Sequence, residues 1–134
     1  MSIFASPRLL RSVLIADAAS TLGAGAMHLV FTPQLTQFMD LPAALLTGTG
    51  AFMLVYAAVV GFVASRDPLP LPVIRFLALG NFGWAAASVA LLASGWIAPT
   101  GWGLAWVLMQ AGLVAVLAEL QWMGSRRLPV AGWA

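Results

Sequence analysis

The sequence predicts an all-α fold, a four-helix transmembrane bundle with both termini cytoplasmic. Three observations carry that prediction. Of 134 residues, 62 % are hydrophobic and only 7 % are charged, against roughly 25 % charged in an average soluble domain. Four apolar stretches each reach the roughly 20 residues a helix needs to cross a bilayer core. All six positive charges, Arg8, Arg11, Arg66, Arg75, Arg126 and Arg127, fall on one side of those stretches. The composition excludes an ordinary soluble domain, a disordered tail and a nucleic-acid partner. Residues 1–134 read as one integral membrane domain.

The spans are expected at about 9–31, 43–64, 73–94 and 100–123. Arg8 and Arg11 precede the first, and Thr32-Pro33 stops it. Ala24-Gly25-Ala26 resembles a signal-peptide cleavage site, but Asp17 interrupts the apolar core, so the segment is expected to remain as a helix. Between Thr32 and Pro42, Leu35, Phe38 and Met39 recur at helical spacing, with Gln34, Gln37 and Asp40 between them. This suggests a short interfacial helix, with an irregular loop as the alternative. Asp67-Pro68-Leu69-Pro70-Leu71-Pro72 forms a stiff link between the second and third spans. Gly95 to Pro99 ends the third, and Thr100 is placed to cap the fourth.

The loops after the first and third spans contain no arginine or lysine. The positive-inside rule then places the termini and the Asp67 loop in the cytoplasm. Arg11 precedes Asp17 by six residues, as Arg75 precedes Asn81, and Ser65-Arg66 and Ser125-Arg126 close the second and fourth spans alike. The chain therefore reads as two parallel, pseudo-repeated hairpins.

Ionisable groups within spans are functional candidates. Asp17, Asn81, Glu119 and Tyr56 lie about 9, 9, 10 and 15 Å inside the nearest arginine at 1.5 Å per residue. This gives one polar side chain per helix in a shared layer, and these four are the candidate ligand- or proton-binding residues. At least one of Asp17 and Glu119 is expected to be protonated and hydrogen-bonded to the other, or to Asn81 or Tyr56, and the two to titrate as a unit. Helical phase aligns Asp17 with Thr21, Ala24 and His28, and Glu119 with Gly112 and Ala115. Gln110, about 180° from Glu119, is expected to face lipid and to hint at a second contact surface. Ala57-Gly61-Ser65 would let helices approach closely. His28 reads as an interfacial histidine, and Trp84 and Trp106 as packing residues.

There is no cysteine and only one histidine. No catalytic constellation, metal set or cofactor site is expected. Leu14-Ile15-Ala16-Asp17, Asn81 with Trp84, and Ala118-Glu119-Leu120-Gln121 followed by Gly124 and Arg126-Arg127 form a pattern that covers nearly the whole chain. It resembles small bacterial four-span integral membrane proteins, loosely DoxX-like. That resemblance implies a multi-pass bundle in a bacterial inner membrane and no particular activity. Small multidrug transporters also combine four spans with a buried carboxylate. Here, however, the acids lie in spans one and four, and the one-sided arginines oppose an antiparallel dimer.

Two functional readings follow. One is a non-enzymatic structural or accessory bundle whose partners are the lipid bilayer and a second copy or another membrane protein. The other is a small proton- or cation-coupled transporter, or a binder of a hydrophobic ligand, built on the acidic layer. An enzyme acting on lipid has no support from the residues. A cavity reaching the polar layer favours the second reading, and a layer filled by side chains favours the first.

Overall fold

The computed structural model describes residues 6–128. Five helices follow in order: α1 (Pro7–Val30), α2 (Thr32–Met39), α3 (Ala43–Ala64), α4 (Leu71–Ser94) and α5 (Gly101–Arg127). The four long ones have the length and apolarity to cross a membrane. Their ends follow local chemistry. Ser6 accepts a hydrogen bond from the Leu9 amide, with Pro7 opening α1. Thr100 caps α5 by accepting from the Gly103 amide, engaging a helix-end donor that has no partner within the helix. Gly95 ends α4 with φ of 78°, in the left-handed region that glycine adopts freely.

The segment after α1 is a helix, not a loop. α2 ends at Asp40, whose φ of 53° turns the chain sharply. The Thr100 amide donates to the Met39 carbonyl at 2.9 Å, and the Thr100 hydroxyl donates to that of Phe38. Gly103 is required at this junction, because a Cβ there would run into the Met39 carbonyl. α2 is thus fastened to the start of α5.

α1 packs along α3, and α4 along α5, which is the expected pair of hairpins. Each hairpin carries the same tie. The Arg11 guanidinium donates to the Ala64 and Arg66 carbonyls at the end of α3. Arg75 donates to the Ser125 carbonyl near the end of α5. These contacts gather the starts of α1 and α4 and the ends of α3 and α5 at one end of the bundle, the arginine end. The two hairpins meet unequally, since α1 contacts α5 closely whereas α3 and α4 barely touch.

Apolar side chains seal both ends. Leu10, Leu14, Val60, Leu69 and Ile74 pack at the arginine end, and Met39, Leu41, Leu46, Ile97 and Val107 pack beside α2. α1 and α3 approach closely at Gly25 and Gly50. A Cβ on Gly25 would stand 2.9 Å from that of Met53, and one on Gly50 would stand 2.9 Å from Leu29 Cγ. Gly61, expected to mediate such packing, faces outward with open space around it.

Candidate functional site: two polar layers and a side cavity

Asp17 lies midway along α1 and is 1 % exposed. Its Oδ2 receives three neutral donors from three other helices. The Tyr56 hydroxyl on α3 lies at 2.9 Å, Asn81 Nδ2 on α4 at 3.1 Å and Gln121 Nε2 on α5 at 2.7 Å. Its Oδ1 faces the Thr21 hydroxyl at 3.3 Å. Asn81 Nδ2 also donates to Gln121 Oε1 at 3.1 Å, and the Tyr56 oxygen lies 2.9 Å from Asn81 Oδ1. One carboxyl group thereby links all four long helices. Asp17, Tyr56 and Asn81 are brought together as expected.

Glu119 does not join them. It is exposed on the outer side of α5, and Gln121, completely buried, takes the place assigned to it. The two positions differ by about 200° in helical phase. Turning Gln121 inward supplies an amide that both donates and accepts, whereas a second carboxylate would crowd another acceptor against Asp17. A proton shared between Asp17 and Glu119 is therefore excluded by their placement. The inner face of α5 runs through Val107, Ala111, Ala118, Gln121 and Ser125.

Gln110 belongs to the inside as well. Its amide donates to Ser88 Oγ at 3.1 Å and to the Val107 carbonyl at 2.8 Å, and its Oε1 accepts from Trp84 Nε1 at 2.8 Å. It does not face lipid, so it offers no contact surface. One signal in the sequence points to both amides. Gln110 and Gln121 are eleven residues apart, about 20° in phase, and so share one stripe of α5.

His28, in the last turn of α1, is buried within the bundle at 5 % exposure. Trp106 Nε1 lies 3.1 Å from its Nε2, and Thr49 Oγ1 lies 3.1 Å from its Nδ1. Indole can only donate, so Nε2 accepts and Nδ1 carries the hydrogen. The Thr49 hydroxyl is free to accept it, because its own hydrogen goes to the Leu45 carbonyl at 2.7 Å. His28 follows Asp17 by eleven residues, about 16 Å along the helix, so the bundle holds two polar layers. The tryptophans expected to pack also act as donors, Trp106 to His28 and Trp84 to Gln110.

Where α3 and α4 separate, a cavity of about 530 Å³ penetrates the side of the bundle. Thr21, Tyr56 and Asn81 supply its polar groups, and Phe52, Met53, Phe76, Leu77 and Trp84 are among its apolar walls. Phe76 is 73 % exposed and Phe52 55 % exposed, which marks the mouth. Gly80 and Gly83 border it with open space where side chains would be. Phe52 stacks on Trp84 at 5.6 Å between centroids and on Tyr56 at 6.4 Å, making a layered aromatic wall. A smaller cavity of about 70 Å³ touches His28, Thr49, Ser88 and Gln110 and shares Met53 and Trp84 with the first.

Among the described residues there is no group of three or more His, Cys, Asp or Glu positioned to hold a metal. The arrangement can offer hydrogen bonds to a polar head at the end of an apolar, side-opening slot. No family model, curated protein or solved structure matches this chain.

Proposed function

We propose that this chain is a non-enzymatic integral membrane protein that binds an amphiphile from the lipid phase in the slot between α3 and α4. The termini face the cytoplasm, and the membrane is a bacterial inner membrane, as the arginine distribution and the family resemblance suggest. The observation that carries the proposal is the cavity of about 530 Å³ between α3 and α4, bounded by Thr21, Tyr56 and Asn81. That volume lies within the range of about 300–1,000 Å³ found for small-molecule sites. Helix pairs in membranes normally close on one another through packing, and here an aromatic-walled gap with polar groups takes the place of that contact.

Asp17 plays a supporting part in this reading. It is enclosed behind Tyr56 and Asn81 and fixes their orientation. The accessory-bundle reading draws on the same network, because a fully bonded polar layer also fixes helix packing. The two readings separate on Gly83→Leu. That side chain would enter the slot, where a Cβ meets nothing within 4 Å. Native mass spectrometry of the protein released from bacterial membranes is expected to show a co-purifying small amphiphile on the wild type and none on Gly83→Leu at equal folding. Identical spectra for both proteins would remove the binding proposal.

A further inference from the structure

The slot's hydrogen-bond inventory is one-sided. Four residues bordering it carry side-chain donors: Thr21, Tyr56, Asn81 and Trp84. Every one of those hydrogens has a partner within the protein. The Thr21 hydroxyl donates to Asp17 Oδ1. The single Tyr56 hydrogen lies between Asp17 Oδ2 and Asn81 Oδ1, two acceptors for one proton. The two Asn81 amide hydrogens go to Asp17 and Gln121. The Trp84 indole N–H goes to Gln110. What remains is lone pairs, on Thr21 Oγ1, Tyr56 Oη and Asn81 Oδ1.

We infer that the slot selects a neutral amphiphile whose head donates a hydrogen bond, a hydroxyl group, and discriminates against heads that only accept, such as ethers and ketones. An acceptor-only head would meet lone pairs and leave its own oxygen unpaired in an apolar enclosure, which is unfavourable. A donating head completes the wall without breaking any existing bond. Neutrality follows from the lining, in which no charged side chain takes part. Asp17 is 1 % exposed and screened by Tyr56 and Asn81. The stacked Tyr56, Phe52 and Trp84 rings favour a flat group beside that hydroxyl.

This inference rests on the binding reading above, and one experiment tests the two separately. The full-length protein is placed in phosphatidylcholine nanodiscs with 4-nonylphenol, its methyl ether 4-nonylanisole, or nonyl phenyl ketone, each at the same mole fraction in the bilayer. Dodecylammonium serves as the cationic probe. Binding is read by ligand-observed saturation-transfer NMR on wild type and on Gly83→Leu. The phenol is expected to bind at least 10-fold more tightly than the ether, the ketone and the ammonium, and to be lost in Gly83→Leu. Equal binding of phenol and ether, both lost in Gly83→Leu, would overturn the donor requirement and leave the slot as a site. Tighter binding of the ketone would overturn it as well. Preference for the ammonium would overturn neutrality. Binding of every probe unaffected by Gly83→Leu would overturn the site itself.

Discussion

Each Asp17 oxygen has a separate task, so different replacements should behave differently. Asp17→Asn can keep a carbonyl oxygen toward Tyr56, Asn81 and Gln121 and turn its amide nitrogen to the Thr21 hydroxyl, which can accept. Its stability is expected to stay within about 1 kcal/mol of wild type, since single interhelical hydrogen bonds in membranes average about 0.6 kcal/mol. Asp17→Leu leaves buried amide donors of Asn81 and Gln121 without an acceptor. Each such donor costs about 1–3 kcal/mol, so a loss of at least about 2 kcal/mol is expected. Reversible unfolding in mixed micelles measures both. Glu119→Gln, on the outer surface, is expected to leave that unfolding curve unchanged. At this scale Asp17, Tyr56 and Asn81 were legible because each is the conspicuous polar group in an apolar span. Gln121 was not, because Glu119 two positions away is the more polar residue and drew the inner face of α5 toward itself. Whether an acid or an amide turns inward depends on the partners awaiting it, and those partners lie on other helices.

Glycine contacts decide how the elements approach. Gly25→Val is expected to push α1 from α3, because Met53 Cβ and the Gly50 carbonyl lie 2.9 and 3.0 Å from the first added carbon. Overpacking of this kind costs about 1–3 kcal/mol. Gly61→Ala, with nothing near its added methyl, is expected to be neutral or slightly stabilising through helix propensity. The same micelle unfolding distinguishes the pair, and equal behaviour would show that the α1–α3 contact is looser than described. The spans, the Thr100 cap and the hairpin pairing were readable in advance, because length, apolarity and turn residues set them locally. The Gly25–Gly50 contact was not, since several small residues recur at helical spacing and only the register between α1 and α3 selects which two meet. α2 lay between these cases. Its spacing suggested a helix, but its anchor, Thr100 on Met39 and Phe38, is about sixty residues away in the chain.

For the whole molecule, the arginine end supplies a topological expectation. Arg11 and Arg75 tie helix starts to helix ends there, and all six arginines belong to segments at that end. A reporter fused after Pro68 should report from the cytoplasm, and one fused after Pro99 from the opposite side. A reversed pattern would overturn the assignment of the arginine end to the cytoplasm. The hairpins are similar in their ties, yet only the α1–α5 side of their meeting is closed. The pseudo-repeat was visible in the arginine spacing. The open side was not, because it depends on how whole hairpins lean together and not on any single motif.

That open side changes what drives occupancy. If the slot opens into the bilayer as proposed, the occupant a head group would displace is a hydrocarbon chain, not water. Exchanging one alkyl tail for another gains almost nothing, because lipid tails are as apolar as the Phe52, Phe76 and Trp84 side chains they would touch. Lengthening a probe's tail should therefore barely alter its competition for the slot once it is counted per lipid molecule. A soluble pocket behaves in the opposite way, since there each buried methylene adds about 0.8 kcal/mol. On the binding reading proposed above, selectivity would be left to a few oxygen atoms on Thr21, Tyr56 and Asn81, and every membrane lipid would be a standing competitor for the place beside them.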